Sequence, residues 1–510
     1  MAYTLGIDVG TQSTKVLIYD TSLKKIVAKE QESYDLISRS DGSREQEASW
    51  WTTALTQCCA RLDPTLLKQV SAVGVSGQQH GFVPLDRDGQ VLHRVKLWCD
   101  TSTVTQCEGL TETFGGNSRL LGEVGNLILP GYTLPKILWF KQFEPSLYQK
   151  MTSFALPHNY INFWLTDQLN MEFGDASGTG FLNIRTKSWN FELLRLIDAT
   201  RDWQSFVPPL VQAHEPSGFV TAKAAKSLGL TPGIPVSSGG GDNMMAAIGT
   251  GSVRPGVVTI SLGTSGTLFT TANHPVVDPN GQMAAFCSST GGWLPLYCTM
   301  NCTVASELTR KLLGTDLQEL NRQAASVPAG SEGVLLLPFF NGERTPYLPH
   351  GKGSFLGLTP ETMTPAHLLR ASLEGAVYGL KTGLQAFAEL GLPVDEIRLT
   401  GGGSASSLWR QIVADILGVP VVYPSEQEAA CLGAALQAEW CRELQAAPPS
   451  QTAPLTHEGQ EYEARLLRLV DQHILTDPTK RAVPSQNQPS YSQAYESYLA
   501  YLRALTPVFQ

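Results

Sequence analysis

The chain has 510 residues and a formal net charge of −9 at pH 7, with 16% charged and 42% hydrophobic residues. This length exceeds one ordinary core and predicts at least two large domains, and the acidic balance argues against nucleic acid as the main partner. Glycine is in excess with 47 residues, so the composition indicates a well-buried globular protein with many tight turns.

The first residues carry no sign of a targeting segment. Residues 1–20 read MAYTLGIDVGTQSTKVLIYD, without a basic start or an uninterrupted apolar core. No stretch reaches the about 18–20 apolar residues that a membrane helix needs. The nine cysteines are irregularly spaced, and no second pair or nearby histidine joins Cys298 and Cys302 into a zinc site. We therefore expect a cytoplasmic protein with free thiols.

Short apolar runs that end in glycine recur along the chain. The runs TLGIDVG, TKVLIYD and KIVAKEQESYDL in residues 4–36 predict consecutive antiparallel strands. Further strands are predicted at VSAVGVS (70–76), PVSSGGG (235–241) and DEIRLTGGG (395–403). Because helix-length patterns alternate with these strands, the sequence predicts an α/β fold with sites at the strand ends.

One octapeptide pattern occurs twice. Residues 7–14 read IDVGTQST and residues 260–267 read ISLGTSGT, each with a Gly-Thr pair between apolar strand residues. Coincidence in a chain rich in Gly and Thr is one interpretation, and a duplicated domain with one Gly-Thr hairpin per half is the other. The second predicts a boundary near residues 244–256 and an end of the second half near Trp440.

The last part of the chain has two different patterns. Residues 446–461 (AAPPSQTAPLTHEGQE) predict a loop or linker. In residues 489–504, Tyr491, Tyr495, Tyr498 and Leu502 recur at helical spacing, which favours a helix that packs back on the body.

The two Gly-Thr hairpins are candidate phosphate sites. The chain has no P-loop, no complete GxGxxG and no HExxH motif, so the turns at Gly10-Thr11 and Gly263-Thr264 remain. Backbone N–H groups and a threonine hydroxyl can hold phosphate oxygens there, although an ordinary hairpin turn would look the same. Asp8 beside such a turn predicts Mg²⁺ between carboxylate and phosphate; its alternative role is to cap the turn.

A second glycine-rich segment carries a candidate general base. Residues 239–243 read GGGDN, and three consecutive glycines favour a main chain that comes very close to a ligand. Asp242 at their end could accept a proton from a sugar hydroxyl. The alternative is an N-cap for the helix that begins with NMMAAIG.

Two further loops offer polar or glycine-rich surfaces. In SGQQHG (76–81), Gln79 and His80 could hydrogen-bond vicinal hydroxyls, although a lone histidine is more often structural. Residues 401–404 (GGGS) join a strand to a helix and could pack against adenine or approach phosphates.

With these motifs in order, the chain resembles the FGGY carbohydrate kinases, relatives of the actin, hexokinase and Hsp70 ATPases, over roughly residues 4–440. The resemblance rests on the two hairpins and on segments similar to both family signatures: GYTLPKILWF (131–140), with Pro135, Lys136 and Trp139, and GSFLGLTPETMTPAHLLRASLEG (353–375). Four shorter segments narrow it to the xylulokinase branch: SGQQHG, SGGGDN, NGERTP and LTGGGSASSLWRQIVAD.

The resemblance implies an α/β protein of two RNase H-like domains that flank a catalytic cleft. It implies an N-terminal domain at 1–246, a C-terminal domain at 247–440, and a linker with a helical tail at 441–510. The substrates would be ATP and D-xylulose, used in pentose catabolism with Mg²⁺. No nucleic acid or membrane partner is expected, and a homodimer is compatible with this expectation.

The resemblance also implies roles for individual residues. Asp242 would be the proton acceptor, and Asp8, a second catalytic carboxylate, would bind Mg²⁺ through water. Gln79, His80 and Asp242 would contact the sugar. The ATP contacts would be Thr11, Thr264, Gly402, Gly403 and Ser406.

Other functions stay open at this point. Many xylulokinases have Met where this chain has Gln79, so the substrate could be another ketopentose, a polyol or gluconate. Some kinases of the superfamily have Asn at the position of Ser406. A protein of a different class, an actin-like or Hsp70-like ATPase or a sugar-binding protein, would need the hairpins but not Asp242 beside Gln79 and His80.

Overall fold

The structure is a computed structural model that describes residues 3–447 and 455–509. Contacts divide the chain into two compact units, and neither is continuous in sequence. The first unit consists of Met1–Val253, Ala272–Pro295 and Glu428–Ile474. The second unit consists of Arg254–Thr271, Leu296–Gln427 and Leu475–Gln510. A division of the chain at residues 246 and 440 stays a prediction.

Strands and helices alternate through the first half of the chain. In order they are β1 (Tyr3–Val9), β2 (Ser13–Asp20), β3 (Lys25–Ser33), β4 (Ile37–Ser38), β5 (Arg44–Gln46), α1 (Ala48–Arg61), α2 (Pro64–Lys68), β6 (Val70–Gly77), β7 (Val83–Leu85), β8 (Val95–Lys96), α3 (Val104–Phe114), α4 (Asn117–Glu123), α5 (Thr133–Phe143), α6 (Pro145–Lys150), β9 (Ser153–Ala155), α7 (Pro157–Thr166), β10 (Met171–Glu172), α8 (Phe173–Ala176), β11 (Leu182–Asn183), β12 (Ser188–Trp189), α9 (Phe191–Ile197), α10 (Trp203–Phe206), β13 (Leu210–Val211), β14 (Pro216–Phe219), α11 (Ala222–Leu228), β15 (Pro235–Ser237), β16 (Gly240–Gly241) and α12 (Asp242–Thr250).

The same alternation continues in the second half. Its elements are β17 (Gly256–Leu262), β18 (Gly266–Thr270), β19 (Ala284–Cys287), β20 (Trp293–Thr299), α13 (Thr303–Leu312), α14 (Leu317–Ala325), β21 (Leu335–Pro338), β22 (Gly353–Leu356), α15 (Pro365–Glu389), β23 (Val394–Thr400), α16 (Ser407–Leu417), β24 (Val421–Val422), α17 (Ala429–Ala446), α18 (Leu455–His473) and α19 (Gln488–Phe509). Short 3₁₀ turns lie at Ser177–Thr179, Ser331–Gly333, Gly402–Ala405 and Pro478–Lys480.

The first unit is built on a mixed sheet in the order β14-β15-β6-β1-β2-β3, with β16 also paired to β6. Strands β1, β2 and β3 are antiparallel neighbours, which confirms the prediction for residues 4–36. Strand β6 joins β1 in parallel, and both are almost wholly buried because apolar layers cover both faces of the sheet. The edge strand β3 alternates between exposed and half-buried residues.

The second unit repeats this arrangement. Its sheet contains the order β20-β18-β17-β23-β24, in which β17 and β18 form an antiparallel hairpin and β23 joins β17 in parallel. The hairpin β17–β18 therefore has the same place in its sheet as β1–β2 has in the first. The two Gly-Thr octapeptides lie in these two hairpins, so the predicted duplication is confirmed at the level of topology.

Helix α17 belongs to the first unit, although it follows the second unit in sequence. It lies against β1 and β6, where a Cβ atom on Gly6 would overlap the carbonyl oxygen of Cys431 and one on Gly74 would overlap that of Ala434. Glycine at these two positions lets helix and sheet backbones come together. Gly6 thus lies inside β1 and serves helix–sheet packing, not a ligand-binding turn.

The end of the chain differs in part from its prediction. The prediction of a loop at residues 446–461 is wrong from residue 455 onward, because α18 begins there. Residues 448–454 lie outside the described residues. Leu466, Leu469 and Val470 of α18 are buried, since their spacing gives the helix one apolar side. The predicted helix at 489–504 is confirmed as α19, which buries its three predicted tyrosines.

Within the described ranges, no helix combines the length and the apolar character that crossing a membrane requires.

Candidate active site

The first unit brings Asp8 and the glycine-rich loop to one end of its sheet. Strand β6 lies between β1 and β16, and its Ser76 is in register with Asp8 on one side and Gly240 on the other. The Ser76 hydroxyl donates a 2.7 Å hydrogen bond to the Asp8 carboxylate. Asp242 follows β16 directly, so this register carries both predicted carboxylates to the same edge.

The electrostatics of this edge favour the protonated forms of both carboxylates. Burial raises the pKa of Asp242 from 3.8 to about 7, with further contributions from the negative charges of Asp8 and Asp175. The Asn243 main-chain N–H and side-chain Nδ2 donate to Asp242 Oδ1 at 2.8 and 2.9 Å and partly offset this rise. Burial also raises the pKa of Asp8, against the hydrogen bond from Ser76. A proton or a cation is therefore favoured at this edge.

Asp242 does not cap a helix through its side chain. Helix α12 begins at Asp242 itself, Gly241 is the residue before it, and no side-chain cap hydrogen bond is formed there. The Asp242 carboxylate oxygen instead accepts hydrogen bonds from Asn243. The capping alternative is therefore wrong, and the carboxylate at the start of α12 lies where the helix dipole favours negative charge.

The three glycines before Asp242 are explained by protein contacts. Gly239 has a left-handed φ of +74°, and a Cβ atom there would come within 2.6 Å of the Val75 carbonyl oxygen. Cβ atoms on Gly240 and Gly241 would overlap the side chains of Ser289 and Gln79. Close packing against other parts of the protein already requires glycine at these three positions. A ligand close to this main chain, as the sequence predicted, is therefore not needed to explain them.

Gln437 holds this loop from α17, and the sequence analysis missed it. Its Oε1 accepts from the Ser237 hydroxyl at 2.8 Å and from the Gly239 N–H at 2.9 Å. Its Nε2 contacts the Ser238 hydroxyl at 3.2 Å and the carbonyls of Gly239 and Ser289 at 3.1 and 3.2 Å. A glutamine within an otherwise apolar helix face was the only sequence signal.

Gln79 lies next to the candidate base. Its Oε1 accepts a 3.0 Å hydrogen bond from Asn243 Nδ2, the same group that donates to Asp242. Its Nε2 donates to the Met244 sulfur at 3.3 Å. The structure therefore brings Gln79 and Asp242 together through one shared neighbour.

His80 is buried beside aromatic rings. Its backbone has a left-handed φ of +65°, and its ring centroid lies 4.7 Å from that of Tyr132 and 5.6 Å from that of Phe286. Its carbonyl oxygen accepts hydrogen bonds from Lys136 Nζ at 2.9 Å and Thr133 Oγ1 at 3.2 Å. Tyr132 and the two donors come from α5 and the residue before it, whereas Phe286 comes from β19. The sequence indicated no role for Tyr132, Thr133 or Phe286.

The first hairpin is braced around Thr11. The Thr11 hydroxyl donates to Gln78 Oε1 at 3.1 Å and accepts from Trp98 Nε1 at 2.9 Å, and its carbonyl accepts from Gln46 Nε2 at 2.7 Å. By contrast, the main-chain N–H groups of Thr11 and Gln12 donate to no group in the described chain. These N–H groups, more than the hydroxyl, are available to an anion.

The second hairpin offers the same feature. Thr264 is exposed, and the N–H groups of Thr264 and Ser265 have no acceptor among the residues that the structure describes. The neighbouring carbonyls of Gly263 and Thr264 do accept hydrogen bonds, from the N–H groups of Thr303 and Cys302. Each hairpin thus presents two unpaired main-chain donors at its tip, as a phosphate site requires.

The turn at residues 401–405 lies beside the second hairpin. Gly401 has a φ of +83°, and a Cβ atom there would overlap the Leu262 backbone at the end of β17. A Cβ on Gly403 would meet the Trp409 ring at 2.7 Å. Within the part of the chain that the structure describes, no atom lies within 4 Å of a Cβ built on Gly402, and its φ is ordinary, so packing does not demand glycine there. An approaching ligand would explain this glycine.

Ser406 has a structural role in the second unit. Its hydroxyl accepts a 3.1 Å hydrogen bond from the Trp409 N–H, which makes it the N-cap of α16, and it also bonds to Asn321 Oδ1. The site predictions therefore separate by unit: the first contains Asp8, Thr11, Gln79, His80 and Asp242, and the second contains Thr264, Gly402, Gly403 and Ser406.

The donor set at Asp8 suits Mg²⁺ better than a metal held entirely by protein. Among the described residues, no group of three or more His, Cys, Asp or Glu side chains could hold a metal ion. Mg²⁺ commonly binds through one or two carboxylates and completes its shell with water and phosphate oxygens. Asp8, with Asp242 nearby, fits that pattern.

Comparisons with known proteins identify the family. The N-terminal domain of the FGGY family of carbohydrate kinases matches residues 3–249, and the C-terminal domain of that family matches residues 258–441. The chain belongs to the FGGY family of carbohydrate kinases. It is therefore a kinase, with a sugar and ATP as its substrates.

Several similar proteins are named xylulose kinase. A Haemophilus influenzae protein named xylulose kinase is 39% identical, over 98% of this chain and 99% of that protein. The xylulose kinase of Bacillus subtilis is 33% identical, over 86% of this chain and 88% of its own length. A solved structure described as a xyloylose kinase from Brucella ovis has a TM-score of 0.88 at 28% identity, covering 99% of this chain and all of that one.

Proposed function

We propose that this carbohydrate kinase transfers the γ-phosphoryl group of ATP to D-xylulose and forms D-xylulose 5-phosphate. Relatives named xylulose kinase, at 39% and 33% identity over most of the chain, support this substrate. The observation that carries the chemistry is the Asp242 carboxylate, whose pKa is raised to about 7 at the start of α12.

Asp242 accepts the proton of the attacking hydroxyl in this mechanism. A general base works best when its pKa lies near the working pH, because it is then mostly ionised and still basic enough to take a proton. Burial and the charge of Asp8 give Asp242 that property. The sugar 5-hydroxyl attacks the γ-phosphorus, the bond to the β,γ-bridging oxygen breaks, and ADP leaves.

The hairpins hold the phosphates of ATP. The unpaired N–H groups of Thr11 and Gln12 in the first unit, and of Thr264 and Ser265 in the second, are suited to phosphate oxygens. Gly402 leaves open space for the nucleotide, and Gly403 and Ser406 are its neighbours in that turn. Asp8 would hold Mg²⁺ through water, and the bound ion would supply positive charge against the phosphates.

Gln79 and His80 contact the sugar in this proposal, together with Asp242. Amide and imidazole groups can donate to and accept from hydroxyl groups, which is what a ketopentose presents. We also expect a cytoplasmic enzyme, and a homodimer stays a prediction.

A substrate panel tests the proposal. ADP release is measured by a coupled assay with D-xylulose, other ketopentoses, polyols and gluconate, and the product is located by NMR. We expect D-xylulose to give the highest kcat/KM and Asp242→Asn to lower kcat about 100-fold or more, since a general base contributes 10²–10⁴ in rate. Asp88→Asn, in an exposed turn, is the matched control.

Two outcomes would contradict the proposal. A folded Asp242→Asn variant with near-normal turnover would remove the general base. ATP turnover that does not depend on any sugar would instead favour an ATPase of the actin or Hsp70 type.

A further inference from the structure

Lys136 is a fully buried cation, with 0% of its surface exposed. It lies in the first turn of α5, where the helix dipole disfavours positive charge. Within the described ranges no carboxylate forms an ion pair with it, and the nearby Asp100 is already paired with Lys96 at 3.1 Å. Burial of an ammonium group without a carboxylate partner is unfavourable, so its retention requires a compensating role.

The partners of Lys136 are two main-chain carbonyls. Its Nζ donates to Gly131 O at 2.7 Å and to His80 O at 2.9 Å. The Thr133 hydroxyl, one turn earlier on the same helix, donates to the same His80 oxygen at 3.2 Å. One carbonyl thus receives two side-chain donors from α5.

The carbonyl that they share belongs to a residue in a strained conformation. His80 has a φ of +65°, which residues with a side chain adopt rarely and which the surroundings must hold in place. A Cβ atom on Gly178 would overlap the His80 ring, so the ring packs directly against the main chain at Gly178. The backbone and the ring of His80 are therefore both fixed from outside their own loop.

We propose that Lys136 is a positioning residue that fixes the His80 main chain and thereby presents the His80 ring to the sugar. This inference rests on the proposed function, in which His80 contacts the substrate. It assigns a role to a lysine that lies 56 positions away from His80 in sequence. Burial lowers the pKa of Lys136 to about 7, in agreement with a site where the protein environment opposes the charge.

The test measures sugar and nucleotide parameters separately. Lys136→Met removes the donor and keeps an apolar chain of similar length, and Thr133→Val removes the second donor with little change in shape. Lys141→Met is the matched control, because Lys141 lies on the same helix and donates to the Ile197 carbonyl instead. KM for D-xylulose, KM for ATP, kcat, equilibrium sugar binding and melting temperature are measured for each variant.

We expect Lys136→Met to raise the sugar KM and dissociation constant about 10-fold, as loss of a charged hydrogen bond does, with the KM for ATP within 2-fold of normal. Thr133→Val should give a smaller change in the same direction, about 3-fold, and Lys141→Met none. In a His80→Ala background, Lys136→Met should add less than a further 2-fold, because a positioning residue has nothing left to position.

Three results overturn the inference. The first is a folded Lys136→Met variant with an unchanged KM for the sugar. If that variant does not fold, the equivalent result is a Thr133→Val variant that changes the sugar and ATP parameters equally. The second is full additivity with His80→Ala, which indicates a general structural effect. The third is a normal sugar KM in His80→Ala itself, which removes His80 from the proposed sugar site, whereas the first two leave the proposed function intact.

Discussion

Replacement of Asp242 by Asn should stabilise the protein at alkaline pH while it removes activity. The folded state raises the pKa of this carboxyl from 3.8 to about 7, chiefly by burial and then by the charge of Asp8. Ionised Asp242 therefore destabilises the folded state. This cost is absent below about pH 4, where both folded and unfolded chains are protonated, grows between about pH 4 and 7, and is complete above pH 7.

The magnitude follows from the size of the pKa difference. A pKa about three units above the ordinary value corresponds to about 4 kcal/mol at about 1.4 kcal/mol per unit. Asp242 retains partial contact with solvent, which screens its charge, so we expect about 2 kcal/mol. Asn has the same shape, and its oxygen can still accept the hydrogen bonds from Asn243, so the substitution removes mainly the charge.

Thermal unfolding at several pH values measures the effect. At pH 8, without nucleotide, Asp242→Asn should melt about 4–8 °C above the original protein, since 1 kcal/mol shifts the melting temperature of a large domain by about 2–4 °C. At pH 4.5 the difference should be about half of that or less. Equal melting temperatures at pH 8, or the same shift at both pH values, would refute the idea that the site holds an unfavourable charge.

Three further predictions concern the site. The kcat/KM for the sugar should fall about 10-fold per pH unit below about pH 7, because Asp242 must be ionised to accept a proton; an activity that stays flat down to pH 5 contradicts this. Gly402→Ala should raise the KM for ATP about 10-fold at an unchanged melting temperature, whereas Gly401→Ala should lower the melting temperature, as its Cβ overlaps the Leu262 backbone. Gln437→Leu should lower kcat about 10-fold or more and the melting temperature by several degrees, because it leaves the buried Gly239 N–H unpaired. Normal kinetics in this variant would show that the loop holds its position without Gln437.

Several features of the fold were predictable because they depend on local sequence. The antiparallel strands at residues 4–36, the strand at 70–76 and the strand–turn–helix around residues 401–417 all follow from alternating apolar residues and glycine punctuation. The repeated Gly-Thr octapeptide identified two hairpins with the same place in two sheets. The start of helix α18 at residue 455 was not predicted, because a proline-rich and polar stretch precedes the apolar residues of this helix.

The glycines show where local reasoning ends. A run of three glycines before Asp242 indicated a close approach but could not tell which atoms approach. The tertiary structure gives them the Val75 carbonyl and the side chains of Ser289 and Gln79. Gly402, by contrast, faces open space. The sequence shows glycine at all these positions, and only the fold tells which glycines are required by packing and which is left for a ligand.

The sequence by itself determined the class of fold, the two hairpins and the identity of the candidate base, because each depends on residues that are close together in the chain. Only the tertiary structure decided what surrounds that base and the candidate sugar-binding residues. Helix α17 returns to the first unit and places Gln437 on the Asp242 loop, and α5 places Lys136 on the His80 carbonyl. An apolar periodicity says which side of a helix is buried, but not which polar group that side meets in the folded protein. Likewise, the pKa of Asp242 depends on burial and on the charge of Asp8, which the fold brings near it.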